Sequence, residues 1–124
     1  MSLTEPHLTW FIDGLTSPDE QTRFSVAEAV DDWLEYFDLE QASQIGCRLL
    51  SLAATAKDEG ELESVTHALH ALAQWDLLDR EVLSASARLA LPDNPSVRKY
   101  LTYLRARAGR SGRDGHHARE GRPG

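Results

Sequence analysis

Short polar segments that suit the start of a helix recur along this chain, and apolar residues at helical spacing follow each of them. The clearest segment is Ser17-Pro18-Asp19-Glu20, in which Ser17 can cap a helix, Pro18 suits the first helical position and Glu20 completes a capping box. The β-branched residues are too sparse and too scattered to form a competing strand pattern. The sequence therefore predicts an all-α fold.

The apolar spacing predicts six helices, and their short connectors favour three antiparallel pairs of consecutive helices. In chain order, the predicted helices cover residues 5–15 after a Thr4 cap, 18–37, the stretch after an Asp38–Gln41 capping box, the stretch after Asp58, 79–90, and the stretch that starts at Asn94-Pro95. Their inward-facing residues are predicted to be Leu8, Phe11, Ile12, Leu15, Val26, Val30, Trp33, Leu34, Phe37, Leu39, Ala42, Ile45, Leu49, Leu52, Leu62, Val65, Leu69, Leu72, Val82, Ala85, Ser86, Leu89, Val97, Leu101 and Leu104.

The length of 124 residues predicts one domain, large enough to bury a core without disulfides. Because Cys47 is the only cysteine, no internal disulfide can form, which is typical of a reducing compartment. The first 15 residues have no basic segment before an apolar run, so no signal peptide is expected. No apolar run approaches the roughly 20 residues that span a bilayer. We therefore expect a cytoplasmic protein with no membrane partner.

The formal net charge of −7 hides an asymmetry along the chain. Residues 1–97 carry 18 acidic and five basic side chains, whereas residues 98–124 carry eight basic and two acidic ones. From residue 106 onward glycine alternates with arginine and almost nothing apolar remains to be buried. The sequence thus predicts a domain over residues 1–105 and a disordered basic tail over 106–124. Since the body repels phosphates, only the tail could contact nucleic acid; otherwise it solubilises the chain or screens its own acidic domain.

A weak internal repeat is visible when Trp33 is laid on Trp75, which places Val26 on Ala68 and Val30 on Leu72. The segments 15–23 and 91–98, each with a proline and a closing arginine, look like the starts of second helices in HEAT repeats. Over about residues 5–105 the chain resembles the HEAT/armadillo-like α-helical repeat family. That resemblance implies a short, right-handed stack of about three antiparallel helical hairpins, and a scaffold that binds other macromolecules rather than an enzyme.

Acidic side chains dominate one side of the predicted second helix. At 100° per residue, five carboxylates fall within an arc of about 120°, opposite the apolar side that includes Val30 and Trp33. Tyr36 flanks the arc and would suit an interface as an aromatic anchor. The arc is either a solvated face or a surface that binds a cationic partner, and no lysine relieves its like charges. The predicted partner-binding residues are Glu28, Asp31, Asp32, Glu35, Tyr36 and Asp38.

Two further groups could carry chemistry. Glu63, His67 and His70 share one side of the predicted fourth helix and could supply three ligands to zinc, although the remaining groups of a zinc-protease motif are missing. Cys47, in an apolar helix, is interpreted as a buried and inert side chain. No phosphate-binding loop, nucleophile elbow or calcium loop is present.

The function that the sequence predicts is a non-enzymatic protein-interaction module that binds a cationic protein through its acidic helix face. The alternative is an immunity or antitoxin-like inhibitor that blocks a basic, nuclease-type toxin by presenting carboxylates where phosphates would bind. A metal-dependent enzyme built on Glu63, His67 and His70 is the third hypothesis. The leading hypothesis needs no catalytic residue, cofactor or metal, and it leaves the partner's identity and the oligomeric state open.

Overall fold

The computed structural model describes residues 3–117, with side chains for residues 3–109. Its elements are α1 (Glu5–Leu15), α2 (Glu20–Asp32), a short 3-10 turn (Leu34–Tyr36), α3 (Leu39–Thr55), α4 (Glu59–Gln74), α5 (Arg80–Ala87) and α6 (Pro95–His117). Residues 3–117 contain these six α-helices and no strand. The predicted all-α class is confirmed.

Aspartate and asparagine caps begin the later helices where the sequence predicts them. Asp38 accepts a hydrogen bond from the Gln41 amide at 2.8 Å, and the Gln41 side chain accepts one from the Asp38 amide at 3.2 Å, which completes the predicted capping box. Asp58 caps α4, and the Asn94 side chain accepts from two amides at the start of α6. These starts are specified locally, because each cap bonds to a backbone group within three residues.

The first two helix starts differ in detail from the prediction. Asp19, rather than Ser17, caps α2, and it accepts from the Thr22 amide at 3.0 Å. The Ser17 hydroxyl accepts from the Asp19 amide instead, one step before the helix. Thr4 lies at the cap position of α1, but its hydroxyl bonds to Nδ1 of His7 and not to the backbone.

The second helix is shorter than predicted, because α2 ends at Asp32 and not near residue 37. Leu34 and Phe37 are both buried from the turn that follows, and the Phe37 ring packs edge-on against Phe11 at 5.3 Å. The Asp38 cap begins the next helix one residue later. The turn therefore buries both side chains and also changes the direction of the chain. A continuous helix would keep the direction of α2.

The helices pack in two layers. One layer holds α1, α3 and α5, with α3 contacting both others, and the second holds α2, α4 and α6, with α4 in the middle. The predicted pairs α1–α2, α3–α4 and α5–α6 are in contact across the layers. Residues on α2, α4 and α6 that are distant in sequence are therefore neighbours on one surface.

The core contains most of the residues that the apolar spacing predicts to face inward. Leu39 is a clear exception: it is the first residue of α3 and is 67% exposed, since the buried side of that helix begins at Ala42. Trp33, Leu52 and Leu62 are only partly buried against the core. The largest fully buried side chains are Phe11, Leu15, Val26, Val30, Ile45, Leu49, Val65, Leu69, Leu72, Val97, Leu101 and Leu104.

The last helix passes the predicted domain boundary at residue 105. Ala108 packs against the core, and Arg107 forms an ion pair with Asp76. The helix continues beyond residue 105 as far as His117. The domain boundary between residues 105 and 106 stays a prediction, and residues 118–124 of the predicted disordered tail lie outside the described part of the chain. Within residues 3–117, no helix has the length and apolar character needed to cross a bilayer.

Candidate functional site

The structure separates the predicted acidic face into three local environments. Glu28, Asp31 and Asp32 lie on the last turns of α2, Glu35 lies in the 3-10 turn, and Asp38 caps α3. The prediction that all five carboxylates share one helical arc is wrong, because α2 ends at Asp32. All five side chains are nevertheless exposed. We call residues 28–38 the acidic segment.

Tyr36 is half-buried rather than a free aromatic anchor. Its ring lies 5.3 Å from that of Trp33, whose ring in turn lies 5.4 Å from His7 and 6.2 Å from Phe11. Such tilted and edge-on contacts stabilise aromatic clusters. Tyr36 therefore helps to hold the turn of the acidic segment against the core.

Within residues 3–109, no ion pair neutralises the carboxylates of the acidic segment. Among residues 3–109, the ion pairs within 4.0 Å are Arg23–Glu61 and Arg107–Asp76, and neither involves the acidic segment. Asp38 is partly engaged, because its carboxylate accepts a hydrogen bond from the Gln41 amide. Exposed negative charge available to a partner therefore remains at Glu28, Asp31, Asp32 and Glu35.

A cleft of about 300 Å³ opens beside Glu28 on the layer formed by α2, α4 and α6. Phe24 and Glu28 are one turn apart on α2, and Glu63 and His67 are one turn apart on α4. Tyr100 of α6 contributes the third wall, and Phe24 is 39% exposed. We call this the aromatic cleft; its lining residues are Phe24, Glu28, Gly60, Glu63, Ser64, His67 and Tyr100.

A second cavity of about 480 Å³ adjoins the aromatic cleft at the starts of α2 and α4. Phe24 and Gly60 line both cavities, so the two cavities adjoin at these residues. Four carboxylates line the second cavity, but Asp19 and Asp58 cap helices and Glu61 forms an ion pair with Arg23. Neither cavity is lined by an arginine or a lysine among the residues whose side chains are described. The lining of the second cavity is Asp19, Glu20, Gln21, Phe24, Asp58, Gly60 and Glu61.

The two histidines proposed as metal ligands contact tyrosine rings instead. His67 lies 5.4 Å from Tyr100, while His70 lies 5.0 Å from Tyr100 and 4.6 Å from Tyr103. Burial lowers the pKa of His70 below its usual value, and the nearby His67 and Lys99 lower this pKa further. No group of three potential ligands able to hold a metal ion is found within residues 3–109, so Glu63, His67 and His70 form no such site there.

Sequence reasoning missed the aromatic cleft and misplaced Cys47. Phe24 lies off the buried side of α2, which contains Val26 and Val30, and that offset is the one local signal of its exposure. Cys47 is exposed, contrary to the prediction, because the buried side of α3 passes through Ile45 and Leu49. A position two residues from Ile45 is rotated by about 200° and faces away from the core.

No protein-family model, curated protein or solved structure matches this chain. Evidence on function therefore comes from the residues and their arrangement. The resemblance to HEAT/armadillo-like repeats stays a prediction from the sequence.

Proposed function

We propose that this protein is a non-enzymatic protein-interaction module that binds a cationic protein through the acidic segment. The observation that carries the proposal is the set of exposed carboxylates at Glu28, Asp31, Asp32 and Glu35, none of which joins an ion pair with the rest of residues 3–109. Like charges close together on a helix cost stability, and a basic partner would relieve that cost.

Aromatic packing and a helix cap also hold the acidic segment in position. Trp33 packs against Phe11 of α1, Tyr36 packs against Trp33, and the capping box fixes Asp38 at the start of α3. A charged surface held in one conformation loses little conformational entropy when it binds. In this proposal Glu28, Asp31, Asp32 and Glu35 supply charge, while Tyr36 and Asp38 keep the segment in place.

We also propose that the domain is a short HEAT-like stack. The alternation of helices between two layers supports this reading, since α1, α3 and α5 lie together and α2, α4 and α6 lie together. A stack of hairpins presents one layer of helices as a continuous surface, which suits macromolecular binding. A solved structure of this chain with its partner would test both the arrangement and the surface used.

The proposal is tested by neutralising part of the acidic segment. A partner isolated by affinity capture is measured against the parent chain and against the triple variant Asp31→Asn, Asp32→Asn, Glu35→Gln. We expect binding to weaken by tenfold or more, about 1.4 kcal/mol. The association rate of the parent should fall steeply with salt, because exposed charges are screened over about 10 Å at 0.1 M ionic strength.

The matched control removes the same amount of charge elsewhere. Glu5, Glu59 and Glu81 are exposed on α1, α4 and α5, so the variant Glu5→Gln, Glu59→Gln, Glu81→Gln has the same net charge as the test variant. We expect this control variant to bind within about twofold of the parent, since exposed charges away from the contact surface contribute little to binding. Equal binding by the test variant and the parent would show that the acidic segment is only solvated.

A further inference from the structure

The aromatic cleft combines two features that together select one kind of side chain. Its walls include the rings of Phe24, His67 and Tyr100, and Glu28 and Glu63 add carboxylates at the same cavity. Neither Glu28 nor Glu63 joins an ion pair within residues 3–109. The cleft is therefore apolar on its walls and negative in charge.

We propose that the aromatic cleft receives an arginine side chain of the cationic protein partner. A guanidinium group is planar, stacks on aromatic faces and donates hydrogen bonds to carboxylates, so it matches both the rings and the glutamates. The volume of about 300 Å³ suits one long side chain and not a large cofactor. Phosphates are disfavoured because the carboxylates repel them.

This inference rests on the proposed function and adds a specific anchor to it. Glu28 belongs both to the acidic segment and to the aromatic cleft, so the two surfaces are continuous. The acidic segment attracts a basic partner over a distance, and the cleft then holds one arginine at short range. Steering by exposed charge changes mainly the association rate, whereas a desolvated anchor changes mainly the dissociation rate.

The test uses a capped heptapeptide that carries two arginines in a glycine and serine background, titrated into the full chain and followed by NMR. A second peptide with citrulline in place of both arginines keeps the shape and removes the charge. We expect the arginine peptide to shift signals of Phe24, His67 and Tyr100, and the citrulline peptide to shift them at least tenfold less at equal concentration. Shifts of equal size with both peptides would overturn the assignment of a cation to the cleft.

Two double substitutions and one single substitution locate the peptide. The cleft variant Glu28→Gln, Glu63→Gln should raise the dissociation constant of the arginine peptide at least fivefold. Phe24→Leu should raise it two- to threefold, because the ring is lost while the apolar volume is kept. The control variant Glu5→Gln, Glu81→Gln removes the same charge from exposed positions on α1 and α5, outside both the cleft and the acidic segment, and should change the dissociation constant less than twofold. All five positions are exposed or half-buried, and circular dichroism checks that each variant is folded.

The outcomes separate this inference from the proposed function. If the peptide shifts only signals of the acidic segment and the variant Asp31→Asn, Asp32→Asn weakens its binding most, the inference is overturned and the proposed function stands. If no basic peptide binds and the triple variant of the acidic segment also binds its partner unchanged, both fail. If removal of residues 110–124 tightens peptide binding fivefold or more, the chain's own basic tail occupies the cleft, which overturns the assignment to a partner.

Discussion

Arg23 of α2 and Glu61 of α4 form an ion pair that joins the two helices beside the aromatic cleft. Nε of Arg23 lies 2.6 Å from Oε2 of Glu61, and Nη2 lies 3.4 Å from Oε1. Nη1 of Arg23 also donates to the Ser17 carbonyl oxygen at 2.8 Å. The side chains are 19% and 8% exposed, and the hydrogen bond to Glu61 raises the pKa of Arg23 above its usual value. The pair thus fixes the position of α2 against α4.

We expect loss of this pair to destabilise the fold. Arg23→Met should lower the free energy of unfolding by about 2–3 kcal/mol, because it leaves the Glu61 carboxylate largely buried without its partner. Urea unfolding measures the change. In a double-mutant cycle with Glu61→Gln, the double variant should lose clearly less than the sum of the single losses. Additive losses would show that the two side chains do not stabilise each other.

Gly14 permits the close approach of α1 to α2. A Cβ atom at Gly14 would lie 2.3 Å from Cγ2 of Val26, a β-branched side chain with little freedom to move. Gly14→Ala should therefore lower the free energy of unfolding by about 1–2 kcal/mol, because the strain of overpacking exceeds the gain in helix propensity. Thermal or urea unfolding provides the measurement.

Gly46→Ala is the matched control for this prediction. A Cβ atom at Gly46 would lie 2.8 Å from Cδ2 of Leu78, the far end of a more flexible side chain. Leu78 can shift to another rotamer, and alanine favours the helix by about 1 kcal/mol, so the net change should be near zero. A loss at Gly46 as large as the loss at Gly14 would contradict the role assigned to Val26.

Ser86 is fully buried on α5, and its hydroxyl has no hydrogen-bond partner among the described side chains and backbone. A buried hydroxyl without a partner costs free energy, and alanine is also the better helix former. Ser86→Ala should therefore raise the free energy of unfolding by about 1 kcal/mol. Thr66→Val provides the contrast, because the fully buried Thr66 donates to the Leu62 carbonyl oxygen at 2.8 Å. If both changes alter stability in the same direction, the unsatisfied Ser86 hydroxyl is not the cause.

Asp79 links two helices through its cap. Its Oδ2 accepts from the Ser43 hydroxyl of α3 at 2.6 Å, and its Oδ1 accepts from the Val82 amide at 2.9 Å. The Ser43 bond and then the Val82 bond lower the pKa of Asp79 below its ordinary value of 3.8. A lowered pKa means that the contribution to stability is present above that ordinary value and is lost as pH falls through the folded-state pKa.

Ser43→Ala should therefore raise the pKa of Asp79 toward its ordinary value and reduce the stability of the chain at neutral pH, with the difference shrinking below about pH 4. An NMR titration of the carboxyl carbons measures the pKa directly. Asp19 is the internal control, because its pKa is lowered first by the Thr22 hydroxyl and not by Ser43. An unchanged pKa of Asp79 would show that the Ser43 hydrogen bond does not form in solution.

Several features of the fold follow from the sequence because their causes are local. The Asp38, Asp58 and Asn94 caps act within three residues, so the starts of α3, α4 and α6 are predictable from composition and spacing. The all-α class follows from the apolar spacing for the same reason. The sequence also contains all the charge of the acidic segment, although not its shape.

Tertiary structure decides what depends on distant residues. The cap of α2 is ambiguous locally, since Ser17 and Asp19 are both good capping residues. In the folded chain the Ser17 carbonyl oxygen accepts a hydrogen bond from Arg23, and Glu61 of α4 holds the Arg23 side chain in place. The end of α2 depends on the burial of Leu34 and Phe37 against other helices. Such choices are made by packing and not by local propensity, so the sequence alone predicts one long acidic helix.

The aromatic cleft shows the same division most clearly. Phe24, Glu63 and Tyr100 each lie on an unremarkable turn of a separate helix, and no spacing along the chain connects them. They meet because α2, α4 and α6 share one layer. The sequence by itself determined which helices form and how much negative charge they carry, since both are properties of short segments. Only the tertiary structure decided which side chains share a surface, because that depends on how whole helices pack.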